Sequence, residues 1–137
     1  SKIKNIMDLE ILKIASENNN NKYLENHTHH SKLKNPLCGD EIKINLIIKN
    51  DKIIDFGYEG KSCIYCQASA GLLSQISINK KKSKINELCD DAKSFFDGNI
   101  KIMSKWKVMN KLFKEKNQSR KECILLPFKA IKKIISQ

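Results

Sequence analysis

Apolar and polar positions alternate most plainly between Glu41 and Lys49. Ile42, Ile44, Leu46 and Ile48 fall on one side, Lys43, Asn45 and Lys49 on the other, with Ile47 joining the polar side. A period of two marks a strand with one buried face. Asn50-Asp51 is turn chemistry, and Ile53 to Tyr58 reads as the returning strand of a hairpin. Gly57 and Gly60 leave room for a bulge or a tight bend. Elsewhere the apolar spacing is helical. Ile6, Leu9, Ile11, Leu12 and Ile14 predict a helix over Ile6–Glu17, which Asn18 to Asn21 ends. Ala68, Ala70, Leu72, Leu73 and Ile76 predict a helix over Cys63–Ile78. Leu88, Ala92, Phe95 and Phe96 predict another over Ile85–Phe96, stopped by Asp97-Gly98-Asn99. The Lys-rich stretch Ile100–Phe113 is expected to be helical. The chain closes with a helix over Cys123–Ile135, with Ile124, Phe128, Ile131 and Ile135 on one face and Pro127 in the first turn or at the start. Lys22 to Lys34 is polar, with room for one short edge strand. The order predicts an α+β fold, a small antiparallel β-sheet of about three strands packed against several α-helices. No repeat or second domain is visible, so residues 1–137 read as one domain.

Composition narrows the class. Hydrophobic residues make up 40% and charged residues 30% of 137, which suits a globular chain with a modest core. No run of about 18 apolar residues is present to span a membrane, and Ser1 to Glu10 lacks the apolar stretch of a secretory signal. The expected location is the cytoplasm, with no membrane contact. Five cysteines, an odd number, argue against a disulfide framework and favour metal binding, sulfur chemistry or buried thiols. The net charge of +11 comes from 26 basic and 15 acidic residues. It allows a small basic nucleic-acid-binding module with a structural zinc as the alternative function. The lysines are spread along a chain rich in Lys, Asn and Ile throughout, and no nucleic-acid-reading motif accompanies them. No nucleic-acid partner is therefore expected.

Three thiols and one carboxylate carry the candidate chemistry. Cys38-Gly39-Asp40 follows Pro36 in a predicted tight turn before the first long strand. Cys63 and Cys123 each stand where a helix is predicted to begin. Exposed N–H groups and the helix dipole at such a start favour a thiolate. Thiolates bind zinc and iron–sulfur clusters alike. Asp40 adds a harder oxygen ligand, which suits a site whose contents are handed on.

The runs Asn35-Pro36-Leu37-Cys38-Gly39-Asp40, Gly60-Lys61-Ser62-Cys63-Ile64-Tyr65-Cys66-Gln67-Ala68-Ser69-Ala70 and Arg120-Lys121-Glu122-Cys123-Ile124-Leu125-Leu126-Pro127-Phe128 resemble, in order, the three cysteine motifs of the IscU/SufU/NifU N-terminal scaffold family. The resemblance covers Asn35 to the C-terminus and implies a SufE/NifU-like fold. The long connection from Cys63 to Cys123, and Glu122 where the IscU branch has His, bring the chain nearest to the SufU branch. That likeness implies a protein of iron–sulfur cluster assembly, a scaffold or a zinc-bound sulfur acceptor rather than a stand-alone enzyme. It implies a cysteine desulfurase as partner and downstream iron–sulfur assembly or acceptor proteins beyond it. The implied ligands of Zn2+ or a transient [2Fe–2S] cluster are Cys38, Asp40, Cys63 and Cys123. Cys123 is the implied sulfur acceptor, and Arg120 an implied helper at the partner interface. The family's usual Pro-Arg-Asn stretch near the N-terminus is missing, and Asn18 to Asn21 stands in that region.

The remaining chemical side chains have plainer readings. Cys63-x-x-Cys66 alone would fit a redox pair or half a zinc knuckle, but no second such pair follows, and Cys66 reads as a small buried residue. Cys89 reads as core packing. His27, His29 and His30 read as part of a solvated loop rather than a metal tract. Asp55, Asp90 and Asp91 read as surface or capping residues, and Phe95, Phe96, Trp106 and Phe113 as packing rather than base-stacking groups. No Cys–His pair supports a thiol enzyme with its own small substrate.

Overall fold

The computed structural model describes residues 2–17 and 19–136, with side chains from residue 9 onward, so Asn18 and the side chain of Ile6 lie outside the described residues. Helix α1 (Lys2–Ser16) precedes three strands, β1 (His29–Lys34), β2 (Glu41–Lys49) and β3 (Lys52–Glu59). Helices α2 (Ile64–Ser77) and α3 (Lys82–Phe96) follow, then three short 3-10 helices at Ile102–Lys105, Lys107–Lys111 and Glu115–Arg120, and finally α4 (Lys121–Ile135). The sheet is antiparallel in the order β1-β2-β3. The expected α+β arrangement holds, and the edge strand allowed within Lys22–Lys34 is β1. Among the described residues no helix is long and apolar enough to cross a membrane.

Asn50 and Asp51 both have positive φ, 52° and 63°, so the β2–β3 hairpin closes through a two-residue turn whose twist matches the strands. Ile42, Ile44 and Leu46 are buried together. The register slips at Ile47/Ile48, where Ile47 pairs with Asp55 but Ile48 with Ile53. Ile54 is the extra residue, and it lets Ile53 and Phe56 face the core although three positions apart. The bulge thus sits at Ile54 rather than at the two glycines. Gly57 serves a close approach instead: a Cβ there would lie 2.5 Å from the Lys22 carbonyl oxygen.

Helix α2 is the centre of the molecule. Nearly its whole surface is buried, and its small residues Ala68, Ser69, Ala70 and Gly71 let α1 and α4 pack closely against it. The Ser69 hydroxyl donates to the Ile124 carbonyl at 2.6 Å, and Ser31 of β1 donates to the Ala130 carbonyl at 2.8 Å, which pins α4 to helix and sheet.

The continuous helix expected over Ile100–Phe113 is replaced by two 3-10 helices. Met103, Trp106, Met109 and Leu112 are buried at intervals of three, which is the repeat of a 3-10 turn rather than of an α-helix. The Trp106 indole donates to the Asp91 carboxylate at 2.8 Å, and Lys105 pairs with the same group. Asp91 is therefore an anchor rather than a surface or capping residue. Phe95, Phe96, Phe113 and Phe128 pack as an aromatic cluster, as their packing role requires. His29 and His30 lie in β1, not in a loop, and the His27 ring meets His30 edge-on. Helix α4 begins two residues before Cys123, so Pro127 lies inside it, one turn beyond the expected place. Its missing N–H leaves the Cys123 carbonyl without its usual helical donor.

Candidate metal centre

Three separate stretches of backbone bring the predicted residues together. The first is the turn from Asn35 to Asp40, which Asn35 closes three times. Its N–H donates to the Asp40 carbonyl at 2.7 Å, its carbonyl accepts from Gly39 N–H at 2.8 Å, and its side-chain oxygen accepts from Leu37 N–H at 2.9 Å. Gly39 has φ +78°, a conformation that favours glycine. Asn35 is itself buried. Sequence reasoning assigned it no role, although Asn before Pro is a turn signal. The second stretch is the start of α2, where Cys63 is the N-cap. The third is the first turn of α4, which holds Cys123.

Cys38, Asp40 and Cys123 present ligand atoms all within 4.8 Å of one another. Cys63 stands beside them rather than among them: its N–H donates to Asp40 Oδ1 at 3.2 Å and its thiol hydrogen-bonds with Cys123, but its sulfur is not within 4.8 Å of all three. The structure thus brings three of the four expected residues within ligand distance and sets Cys63 next to Asp40 and Cys123. Cys38 is exposed, Cys63 half-buried, and Asp40 and Cys123 buried, so the group opens to solvent on the Cys38 side. Arg120, the N-cap of α4, lies over the Tyr65 ring at 5.1 Å and ties the starts of α2 and α4 together. Leu37, beside Cys38, is 87% exposed at the rim.

The electrostatics differ from the expectation of thiolates stabilised by helix starts. Burial pushes the Cys63 thiol up, and the N–H of Cys66 only partly opposes it. Cys123 is raised first by burial, then by its hydrogen bond with Cys63 and by the negative charges of Cys63, Asp40 and Cys38. Helix-end attraction is at most about 1–2 kcal/mol, which desolvation and several like charges outweigh. Four groups that would all carry negative charge need a cation to hold them ionised together.

The donor set fits such a cation. Asp40 Oδ2 is buried and has no hydrogen-bond partner among the described residues. An orphaned carboxylate oxygen beside two sulfurs is costly unless something binds it. Neighbouring ligands of a tetrahedral zinc–thiolate site lie about 3.8 Å apart, little less than the spread here. Cys66 and Cys89 stay outside the group. Both are buried, and burial pushes each up to about 12.

Comparison with known proteins shows the family. The model of the NifU-like N-terminal domain matches residues 8–96, which include Cys38, Asp40 and Cys63. The chain belongs to the NifU-like N-terminal domain family. Among relatives of this family, a protein of Thermotoga maritima named as the iron–sulfur cluster assembly scaffold protein IscU is 30% identical over 105 residues, covering 76% of this chain and 74% of its own. An uncharacterized protein of Borreliella burgdorferi is 32% identical over 109 residues, covering 79% and 72%. The crystal structure of a Fervidobacterium islandicum protein, described as an iron–sulfur cluster assembly scaffold of the SUF system, superposes with a TM-score of 0.81 at 25% identity, covering 91% of this chain and 93% of its own. The NifU-like N-terminal protein of Brucella abortus shares the fold, with a TM-score of 0.78 at 21% identity.

Proposed function

We propose that this chain works in iron–sulfur cluster assembly as a scaffold that accepts sulfur from a cysteine desulfurase. Its metal centre is Cys38, Asp40, Cys63 and Cys123, and its sulfur acceptor is Cys123. The carrying observation is the convergence of two thiols, Cys38 and Cys123, with a buried, unpartnered carboxylate oxygen, with Cys63 beside them, in a chain of the NifU-like family. The names of the relatives from Thermotoga and Fervidobacterium support the scaffold part of this role. Zinc is the proposed resident ion. When bound it holds the thiols as thiolates and the orphaned Asp40 oxygen as a ligand. The cluster is cargo, built on the same residues and passed to downstream assembly or acceptor proteins.

The chain's own residues supply the rest. Cys123 attacks the partner's persulfide as a thiolate and takes the outer sulfur, leaving the partner thiol behind. Cys63, hydrogen-bonded to Cys123, is a second thiol within its reach. The exposed rim of Leu37 and Arg120 is the proposed docking edge for the desulfurase, with Arg120 holding the two helix starts in place meanwhile. The cytoplasm is the compartment that suits five free thiols.

The test is the metal and labile sulfide content of protein purified without oxygen, with desulfurase turnover measured in its presence and absence. About one zinc per chain, no sulfide and a strong gain in turnover support the zinc-bound sulfur acceptor. Iron with matching sulfide, lost in Cys38→Ser, Cys63→Ser and Cys123→Ser, means that the centre holds a cluster at rest. A chain with neither metal nor effect on the desulfurase sinks the proposal.

A further inference from the structure

The four-residue centre leaves one adjoining thiol unused. Cys66 is 0% exposed and lies in the first turn of α2, three residues after the N-cap Cys63. Its backbone N–H donates to the Cys63 sulfur, so the turn folds the two cysteines against each other. Its thiol hydrogen-bonds with Ser62, and it lies close enough to Cys38, Asp40 and Cys63 to feel their charges. A Cys-x-x-Cys step across a helix start is a spacing that a disulfide can span. Three thiols therefore follow one another through the molecule: Cys123 at the centre, Cys63 hydrogen-bonded to it, and Cys66 one helical turn on, its backbone N–H on the Cys63 sulfur.

We propose that Cys66 is a resolving thiol that converts persulfide sulfur into sulfide at this centre. The inference rests on the sulfur-acceptor reading above. Sulfur received on Cys123 passes to Cys63, whose thiolate attacks the outer sulfur of the Cys123 persulfide and restores the Cys123 thiol. Cys66 then attacks the inner sulfur of the Cys63 persulfide. The Cys63–Cys66 bond forms and the bond to the outer sulfur breaks. That sulfur gains two electrons, supplied as two thiols become one disulfide. It leaves as hydrogen sulfide, carrying the Cys66 proton and its own. Displacement at sulfur proceeds in line, so the sulfide departs on the side of Cys63 away from Cys66. A dithiol reductant reopens the disulfide before the next round. Burial shields Cys66 from reagents in solution and leaves Cys63 as its natural target.

The step is tested with the full chain, reduced and freed of metal, given one equivalent of glutathione persulfide without oxygen. The wild type is expected to release the added sulfur as sulfide and to carry a Cys63–Cys66 disulfide in peptide mass mapping. Cys66→Ala is expected to keep the added sulfur on Cys63 or Cys123 and to release sulfide slower by about tenfold or more. Cys89→Ala, which removes the other buried thiol, is expected to behave as the wild type. Circular dichroism checks the fold of Cys66→Ala, and Cys66→Ser replaces it if the alanine variant does not fold. A wild type that holds its sulfur as Cys66→Ala does, or a disulfide mapped to another pair, overturns the resolving role and leaves the sulfur-acceptor reading standing. A wild type that takes up no sulfur in any form overturns both.

Discussion

Cys123 and Cys89 are almost equally buried, 7% and 6% exposed, and burial raises both thiols above their ordinary range. Their surroundings differ entirely. Cys89 lies on α3 and finds one polar partner, the Phe128 carbonyl at 3.6 Å, to which its S–H donates. Cys123 meets a second thiol and shares a small space with a third and with a carboxylate that has an unpartnered oxygen. Burial alone does not separate a packing thiol from a chemical one. What separates them is the convergence of groups that would repel each other if ionised without a cation.

That contrast can be broken at several points. The largest effect is expected for Cys123→Ser, which should abolish stimulation of the desulfurase and lower zinc affinity about a hundredfold or more while leaving the fold intact. Full stimulation by this variant, measured as cysteine turnover, would remove Cys123 from its assigned role. The pH dependence follows next. Cys63 and Cys123 are raised in the metal-free state, so both are protonated at neutral pH and a metal ion has to displace their protons. Zinc affinity should therefore fall as pH falls between about 8 and 6, by about tenfold per unit for each displaced proton. Competition with a chromophoric chelator across that range reads the slope, and a flat profile contradicts the raised thiols.

A smaller effect is expected for Asp40→Asn. The amide oxygen can still accept from Cys63 N–H, so the metal-free chain should melt no lower than the wild type. Zinc affinity should drop by about tenfold or more, because the anionic ligand is gone. A metal-free chain that melts well below the wild type would mean that Asp40 serves folding rather than binding. The smallest effect belongs to the packing thiol. Cys89→Ala should cost about 1 kcal/mol in denaturant unfolding and leave zinc content unchanged. Loss of metal in that variant would erase the distinction between the two thiols.

Much of the fold was legible because its signals are local. The β2–β3 hairpin announced itself by alternation and by Asn50-Asp51. The start of α2 was placed at Cys63, within one residue of Ile64. The four candidate residues were legible for a different reason: a small turn and two helix starts each gave a thiol or carboxylate a distinctive place. The segment after Gly98 was not legible. Its apolar residues recur every three positions, and only packing against Asp91 and the aromatic cluster selects 3-10 turns over an α-helix. The threefold closure by Asn35 and the seat of Arg120 over the Tyr65 ring were also beyond a linear reading, because each depends on groups folded back in space.

The sequence by itself determined the α+β order, the hairpin register up to its bulge, and which four residues are chemically able to form a centre. Those properties follow from periodicity and residue type along the chain. Only the tertiary structure decided that Cys38, Asp40 and Cys123 meet with Cys63 beside them, that Asp40 keeps an unpartnered oxygen, and that the helix starts fail to hold Cys63 and Cys123 as thiolates. The reason is physical. Desolvation and repulsion among like charges are set by distances between segments far apart in sequence, and at this centre they outweigh the local pull of a helix N-terminus.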